Sequence, residues 1–388
     1  MAHSRCCSVV VLLASLAWLV SSRSARAEMA EEALQSATDG GATTTLFSLN
    51  PAFLRPDGVQ VGALFLRTAK TASLDHIGQG GEKIQTTGSS DSVLAAALTD
   101  LGAGAGLGLS HQVQFIRNQT TVTPGREQIP LVENAKEQHS AVKLVIELMD
   151  ELRAGVAIRY LYRDVQILGD PGLSDDESTR YKMTLVGYGS GFAYSFKQGG
   201  LSYTYFPPLR GKTEVEGEEK IVVEPGEIGV AGRYAPVKGW TFGLAGRRWL
   251  NEIDDLARGT TAADNTTRIS LAGLDPDQYL RRDQLLMLGL DYALNEAATL
   301  HFGVEQEQDT LDVQDRLLYN GVDIRSNGQA PSLKFLRYRF GLHYAEEGTV
   351  LEAGFSLYSR RYGFPDAMNA GSYAGSGKEL YATVSERL

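Results

Sequence analysis

Residues of two kinds alternate along 102–118, GAGAGLGLSHQVQFIRN. Gly102, Gly104, Gly106, Gly108, Ser110, Gln112 and Gln114 are small or polar, whereas Ala103, Ala105, Leu107, Leu109, His111, Val113 and Phe115 are largely apolar. A β-strand sends successive side chains to opposite faces, so the pattern predicts a strand with one apolar face and one small or polar face. Val142, Leu144, Ile146 and Leu148 repeat it opposite Lys143 and Glu147. Ala154, Val156, Ile158, Tyr160 and Tyr162 continue it opposite Arg153, Arg159 and Arg163. Farther on, Leu286, Leu288, Leu290, Tyr292, Leu300, Phe302 and Val304 alternate with Met287, Asp291, His301, Glu305 and Glu307. Leu336, Tyr338, Phe340, Leu342 and Tyr344 oppose Arg337, Arg339 and His343.

Between these segments the connections follow a rhythm. Tight turns are expected near 150–151, 197–200, 235–239, 295–298 and 346–348, and long polar loops over 69–91, 118–139, 166–180, 207–226, 251–282, 311–332 and 361–378. Adding strands at 59–67 and 379–388 and a short one at 92–99 gives about fourteen strands. Residues 92–101, SVLAAALTDL, fit a helical turn as well, and without that strand and its partner the count is about twelve. In a soluble sandwich the inner face would be the apolar one, and charges would not recur opposite it on nearly every strand. The expected fold is therefore all-β: a transmembrane antiparallel β-barrel, apolar row toward lipid and polar row toward the lumen. Tyr160, Tyr162, Trp240, Tyr292, Tyr338 and Tyr344 are placed as interfacial aromatics would be.

Composition sharpens the address. Beyond the N-terminus no run of about 18 apolar residues occurs, which excludes a helical membrane protein. Residues 1–27 read as a secretory signal: Arg5, an apolar segment over 9–20, and the small-x-small site Ala25-Arg26-Ala27. Both cysteines, Cys6 and Cys7, fall inside it, so the processed chain is expected to have no disulfide. Losing Arg5, Arg23 and Arg26 leaves 34 Lys+Arg against 47 Asp+Glu. That balance argues against nucleic acid as a partner and suits a surface bridged to anionic lipopolysaccharide by divalent ions.

Candidate chemistry is sparse. His76, His111, His139, His301 and His343 are the histidines of the processed chain, and none forms a His/Cys cluster with metal-ligand spacing. Gly189-Ser190-Gly191 lacks the spacing and the strand-to-helix turn of a nucleophile elbow. The acidic groups Asp175-Asp176-Glu177 and Asp254-Asp255 read as solvated loop charge, and the Asn118 and Asn265 sequons carry no meaning in this setting. No enzyme activity, cofactor or metal is expected.

The segment before the barrel, 28–58, contains LFSLNPAFLRPDG and runs into the first strand. With that strand, LFSLNPAFLRPDGVQVGALFLRT resembles the N-terminal hatch of the FadL-type outer-membrane transporters of long-chain fatty acids and other hydrophobic compounds, through Asn50, Pro51 and Ala52. Gly200, Ser202, Tyr203, Gly229, Val230, Ala231 and Trp240 are similar to that family's mid-barrel strands. Phe53 stands where the family usually has glycine, and 166–180 and 207–226 are short and acidic where its capture loops are long and apolar.

After the signal at 1–27, the resemblance implies a hatch at 28–58 and an outer-membrane barrel at 59–388. It also implies passive diffusion of a hydrophobic, long-chain fatty-acid-like molecule, closed off by the hatch and released sideways through a wall gap at a kinked third strand. Gly102, Gly104, Gly106 and Gly108 are the residues expected to form that wall. The residues expected to line the lumen are Lys143, Glu147, Arg153, Arg159, Arg163, His301, Glu305, Arg337, Arg339 and His343. Their charge leaves a hydrophilic porin or a structural barrel as the alternative. The expected partners are a hydrophobic ligand, outer-membrane lipid with lipopolysaccharide, and the barrel-assembly machinery.

Overall fold

A computed structural model of the chain describes residues 50–54, 58–77, 82–123, 129–168, 178–215, 218–224, 226–250, 280–311, 332–364 and 371–388. The signal at 1–27, most of the segment 28–58 and the acidic groups near 175 and 254 lie outside the described residues. The strand segments are β1 (Gln60–Ile77), β2 (Glu82–Gly102), β3 (Ala105–Thr123), β4 (Ile129–Met149), β5 (Leu152–Leu168), β6 (Ser178–Phe196), β7 (Gly199–Phe206) and β8 (Leu209–Val215). They continue as β9 (Glu218–Glu224), β10 (Gly226–Val237), β11 (Trp240–Leu250), β12 (Leu280–Ala293), β13 (Ala298–Leu311), β14 (Ser332–Glu346), β15 (Thr349–Phe364) and β16 (Gly371–Arg387).

Neighbours in sequence pair antiparallel, β1 closes on β16, and β5 closes on β6, so the sheet is a ring. Two pairs of segments are halves of single strands. Phe206 pairs with Glu227 and Leu209 with Glu224, so the same register holds on either side of Pro207-Pro208. Counted this way the barrel has fourteen strands. Closure gives every strand two neighbours, and this is what allows a sheet to sit in hydrocarbon.

The tight turns among the described residues lie at one rim. Turns at Asp150-Glu151, Lys197-Gln198, Lys238-Gly239, Leu294–Ala297 and Glu347-Gly348 occur where the sequence places them. Backbone bonds link neighbouring turns: Ser195 N to Glu151 O (2.7 Å), Ala235 N to Gln198 O (2.7 Å), Ala293 N to Gly239 O (2.8 Å) and Ala345 N to Ala297 O (2.8 Å). The chain end joins the same rim, with Leu388 N donating to Val59 O (2.9 Å).

The strands are longer than the hydrophobic pattern indicates. About 9–11 tilted residues span a bilayer, whereas β2 and β4 each have 21. Most of 69–91, 118–139, 207–226 and 361–378, and the ends of 166–180, are strand rather than loop. The short segment 92–99 is the middle of β2, not a helical turn. Away from lipid both faces of a strand meet water, so apolar alternation stops while the backbone ladder continues. Hydroxyl pairs such as Thr86–Thr120 (2.7 Å) and Thr71–Ser376 (2.9 Å) cross these polar extensions.

Side-chain exposure follows the two rows. Leu109, Phe115, Val142, Val156, Ile158, Leu288, Leu336 and Phe340 face outward and are exposed. Lys143, Glu305, Arg337, Arg339, Glu352 and Glu379 face inward and are buried. This is the inverse of a water-soluble protein. Leu288→Arg, low on the outward row, is expected to cost about 2–4 kcal/mol of barrel stability in vesicles. Urea unfolding of the vesicle-inserted protein measures this, and an unchanged midpoint would mean Leu288 does not touch hydrocarbon.

Candidate functional site

Near the turn rim, the segment Asn50–Leu54 folds against the inner wall. Asn50 caps a 3-10 turn over Pro51–Phe53, its side-chain oxygen accepting from Ala52 N (3.0 Å). Proline fits the first position because the missing N–H has no partner to lose there. Phe53 N donates to Asn50 O (3.1 Å) and Leu54 N to Pro51 O (3.3 Å). Asn50, Pro51, Ala52 and Leu54 are buried.

The wall is shaped for this turn. An ideal Cβ on Gly155 would come within 2.7 Å of the Pro51 carbonyl carbon, one on Gly108 within 2.7 Å of Leu54 Cδ1, and one on Gly191 would collide with the Asn50 amide. Three strands thus lack a side chain where the turn lies. Arg153 reaches across it, donating to Leu54 O (3.2 Å) and Phe53 O (3.5 Å), and Asn50 Nδ2 donates to Tyr203 O (3.4 Å). Leu54 packs with Leu64, Leu66, Leu94, Ala96, Leu98, Val145 and Tyr381 in an apolar cluster inside the barrel. Sequence reasoning placed Arg153 in the lumen but missed this role. The inward glycines Gly155 and Gly191 were the legible signal.

The glycine wall needs correction. Gly102 is the last residue of β2 and Gly104 lies in the turn that follows: with Ala103 they carry the chain from β2 to β3, at φ of 81° (Gly102), 53° (Ala103) and 73° (Gly104). The left-handed region suits glycine, so the alternation of GAGAG reflects turn geometry over its first residues. Gly102 N donates to Asp100 Oδ1 (2.7 Å) and Glu147 N to Gly104 O (2.8 Å). Gly106 and Gly108 do lie in β3, but β3 pairs without a break with β2 from Lys83↔Thr123 to Asp100↔Gly106, and with β4 from Ala105↔Ile146 to Val122↔Ile129. The third strand therefore has no gap.

The ladder is incomplete elsewhere. β1 and β2 run side by side, yet among the described residues they are in register at Ile77↔Glu82 alone, with Asp100 N bonded to Gly58 O (3.2 Å) at the other end. A second irregularity faces β6. Ser190 pairs with Tyr205 and Val186 with Arg210, so Pro207-Pro208 adds a residue opposite Gly187–Gly189. Phe206 fills the space over Gly189 from within, fully buried, and the Arg159 guanidinium stacks 3.8 Å from its ring centroid.

The remaining lumen is partly charged and partly apolar. Glu305 binds both Arg339 and Arg337 (3.6 Å to the latter), and Arg337 also reaches Glu379 (3.4 Å). Arg163 meets Glu137 (2.6 Å), while Glu227 lies between Arg159 (3.8 Å) and Arg247 (3.6 Å). His301 Nδ1 lies 2.7 Å from Asp291 and packs edge-on against His343 at 5.8 Å. Lys143 is buried on the same inward row, whereas Glu147 is exposed at its rim end. Between these groups, Ala245, Trp249, Leu285 and Met287 form one inward apolar patch, and Leu161, Met183 and Leu185 with Leu209 another. Among the described residues, no group of three or more His, Cys, Asp or Glu could hold a metal ion.

The molecule is thus a fourteen-stranded outer-membrane-type barrel with a short segment folded against its inner wall. Solved structures of the same fold are the Pseudomonas putida toluene transporter TodX (13% identity, 92% of this chain and 98% of that one, TM-score 0.57), a Pseudomonas aeruginosa FadL homologue (11%, 92% and 98%, 0.58) and the Ralstonia pickettii toluene transporter TbuX (10%, 92% and 98%, 0.52). The fold is that of the FadL-type barrels. No family model and no curated protein matches the sequence.

Arg153→Ala removes the charged donor that holds the carbonyls of Phe53 and Leu54, an interaction worth about 1.5–3 kcal/mol. The variant barrel is expected to fold while hydrogen exchange at Ala52–Leu54 accelerates. Unchanged protection would show that the segment is held by its packing alone.

Proposed function

We propose that this barrel carries hydrophobic small molecules, long-chain fatty-acid-like in character, across the outer membrane by passive diffusion, with residues 28–58 as its hatch. One observation carries the reading: the lumen contains apolar side chains that a hydrophilic pore has no use for. An apolar solute passing through water forfeits about 0.8 kcal/mol per CH₂. The patch around Trp249 and Met287, the patch around Met183 and Leu185, and the cluster around Leu54 offer it apolar contact instead. The likeness to toluene transporters supports the same reading.

Sideways release fits β1–β2 better than β3. Beside that seam the inward row is Leu64, Leu66, Leu94 and Leu98, and the other row includes the exposed Val93 and the buried Phe65. A solute would find apolar surface on both sides of a wall whose ladder, among the described residues, is registered at one pair. Leu54 packs against the inner side, so withdrawing it opens the path.

The charged wall around Glu305 favours the second reading, a porin for small polar solutes. Planar-bilayer recording and ligand titration separate the two. The expected outcome is no steady conductance together with saturable binding of oleate; steady ohmic conductance without oleate binding would establish the porin. A bismaleimide cross-link between Phe65→Cys and Val93→Cys is expected to abolish uptake of a hydrophobic probe into vesicles. Uptake that survives the cross-link would exclude release through this seam.

A further inference from the structure

The outer surface changes from apolar to polar over a band about six residues tall. On β1 the outward row passes from Phe65 to Arg67, on β3 from Phe115 to Arg117, and on β16 from Leu380 to Lys378. Lys136 on β4 pairs opposite Phe115 and lies 6.0 Å over its ring, and Arg361 follows Leu357 and Ser359 on β15. Asp91 on β2, beside Arg67, is the one carboxylate on the outward rows of these six adjacent strands within the band from Arg67 to Arg361. Five cations to one anion is a reversal in a chain of formal charge −10.

Around and above the belt a groove of about 410 Å³ crosses five neighbouring strands. Its outward lining is hydroxyl and amide, from Thr71, Gln85, Thr87, Gln119 and Ser376, with Arg361 as its charge. Registered pairs bring these groups level: Thr71↔Ser376↔Ser359 and Thr87↔Gln119. The polar rows lie just beyond the apolar band, on the side away from the turn rim, where headgroups of the outer leaflet meet the barrel.

We propose that this belt and groove bind the phosphorylated saccharide headgroup of an outer-leaflet glycolipid. The cations take its phosphates, since guanidinium and ammonium groups match phosphate oxygens in charge and, for arginine, in geometry. The hydroxyls and amides take its sugar hydroxyls. The acyl chains then run down the exposed Val93, Phe115, Leu357 and Leu380, each directly below a polar position. The contact is direct and needs no divalent bridge at this belt. It depends on the membrane position of the barrel and not on what the barrel carries.

The test uses the full chain in a neutral detergent, titrated with bis-phosphorylated lipid A and read by native mass spectrometry. Dephosphorylated lipid A is expected to bind about tenfold more weakly, and R117Q/K136Q/R361Q to lose a similar factor. Arg248→Gln, on the far side, leaves binding unchanged. Raising salt from about 0.1 M to 1 M shortens the screening length from about 10 Å to 3 Å and weakens the wild-type complex. Heat-modified gel mobility reports folding of each variant; should the triple variant misfold, the dephosphorylation and salt series on the wild type decide. Equal binding of dephosphorylated lipid A, insensitivity to salt, or an unchanged affinity in the folded triple variant would overturn the proposal. So would full competition by equimolar inorganic phosphate, which would mark a site for free anions.

Discussion

A backbone inside hydrocarbon has no water to bond, so each N–H and C=O must find a partner within the protein. Everything else here depends on meeting that demand by closing a sheet. Closure fixes fourteen strands, sends one row of side chains to lipid and the other to an enclosed interior, and gathers the tight turns at one rim. The interior is then too narrow to stay empty of side chains and too large to be filled by them alone. Part of the remaining space is taken by Asn50–Leu54, for which Gly108, Gly155 and Gly191 leave room.

That filling touches both the charged and the apolar groups of the lumen. Arg153 points at carbonyls of the inserted turn, while Leu54 packs among leucines of β1 and β2. The buried charges are met by opposite charges: Glu305 with Arg337 and Arg339, Glu137 with Arg163. Such pairs contribute little net stability when buried, but they set charged groups directly beside the apolar patches, Glu305 being the cross-strand partner of Met287. The interior has two characters, and the apolar one is what the proposed cargo requires.

Much of this was legible in the chain. The parity of Lys143, Arg153, Arg159, Arg163, Glu305, Arg337 and Arg339 follows from period-2 alternation, which does not depend on knowing the strand ends. Turns at 150–151 and 347–348 were legible because polar and glycine residues interrupt that period. The polar strand extensions were not: once both faces meet water, nothing in hydrophobicity distinguishes a ladder from a loop. Gly102 and Gly104 misled because a residue without a side chain alternates as readily in a turn as in a strand. The place where the ladder fails, between β1 and β2, leaves no mark in composition, since register depends on both neighbours at once. The Asn50-Pro51-Ala52 motif pointed to an inserted segment, but its anchoring by Arg153 joins residues 100 positions apart.

The central claim is that alternate residues of each strand meet lipid and lumen. Single cysteines along β13, at Leu300, Phe302 and Val304 and at His301, Gly303 and Glu305, each carrying a fluorophore, test it most directly in proteoliposomes. A nitroxide attached to lipid acyl chains is expected to quench the first set and leave the second bright. Equal quenching of both sets, or of neither, would contradict the account.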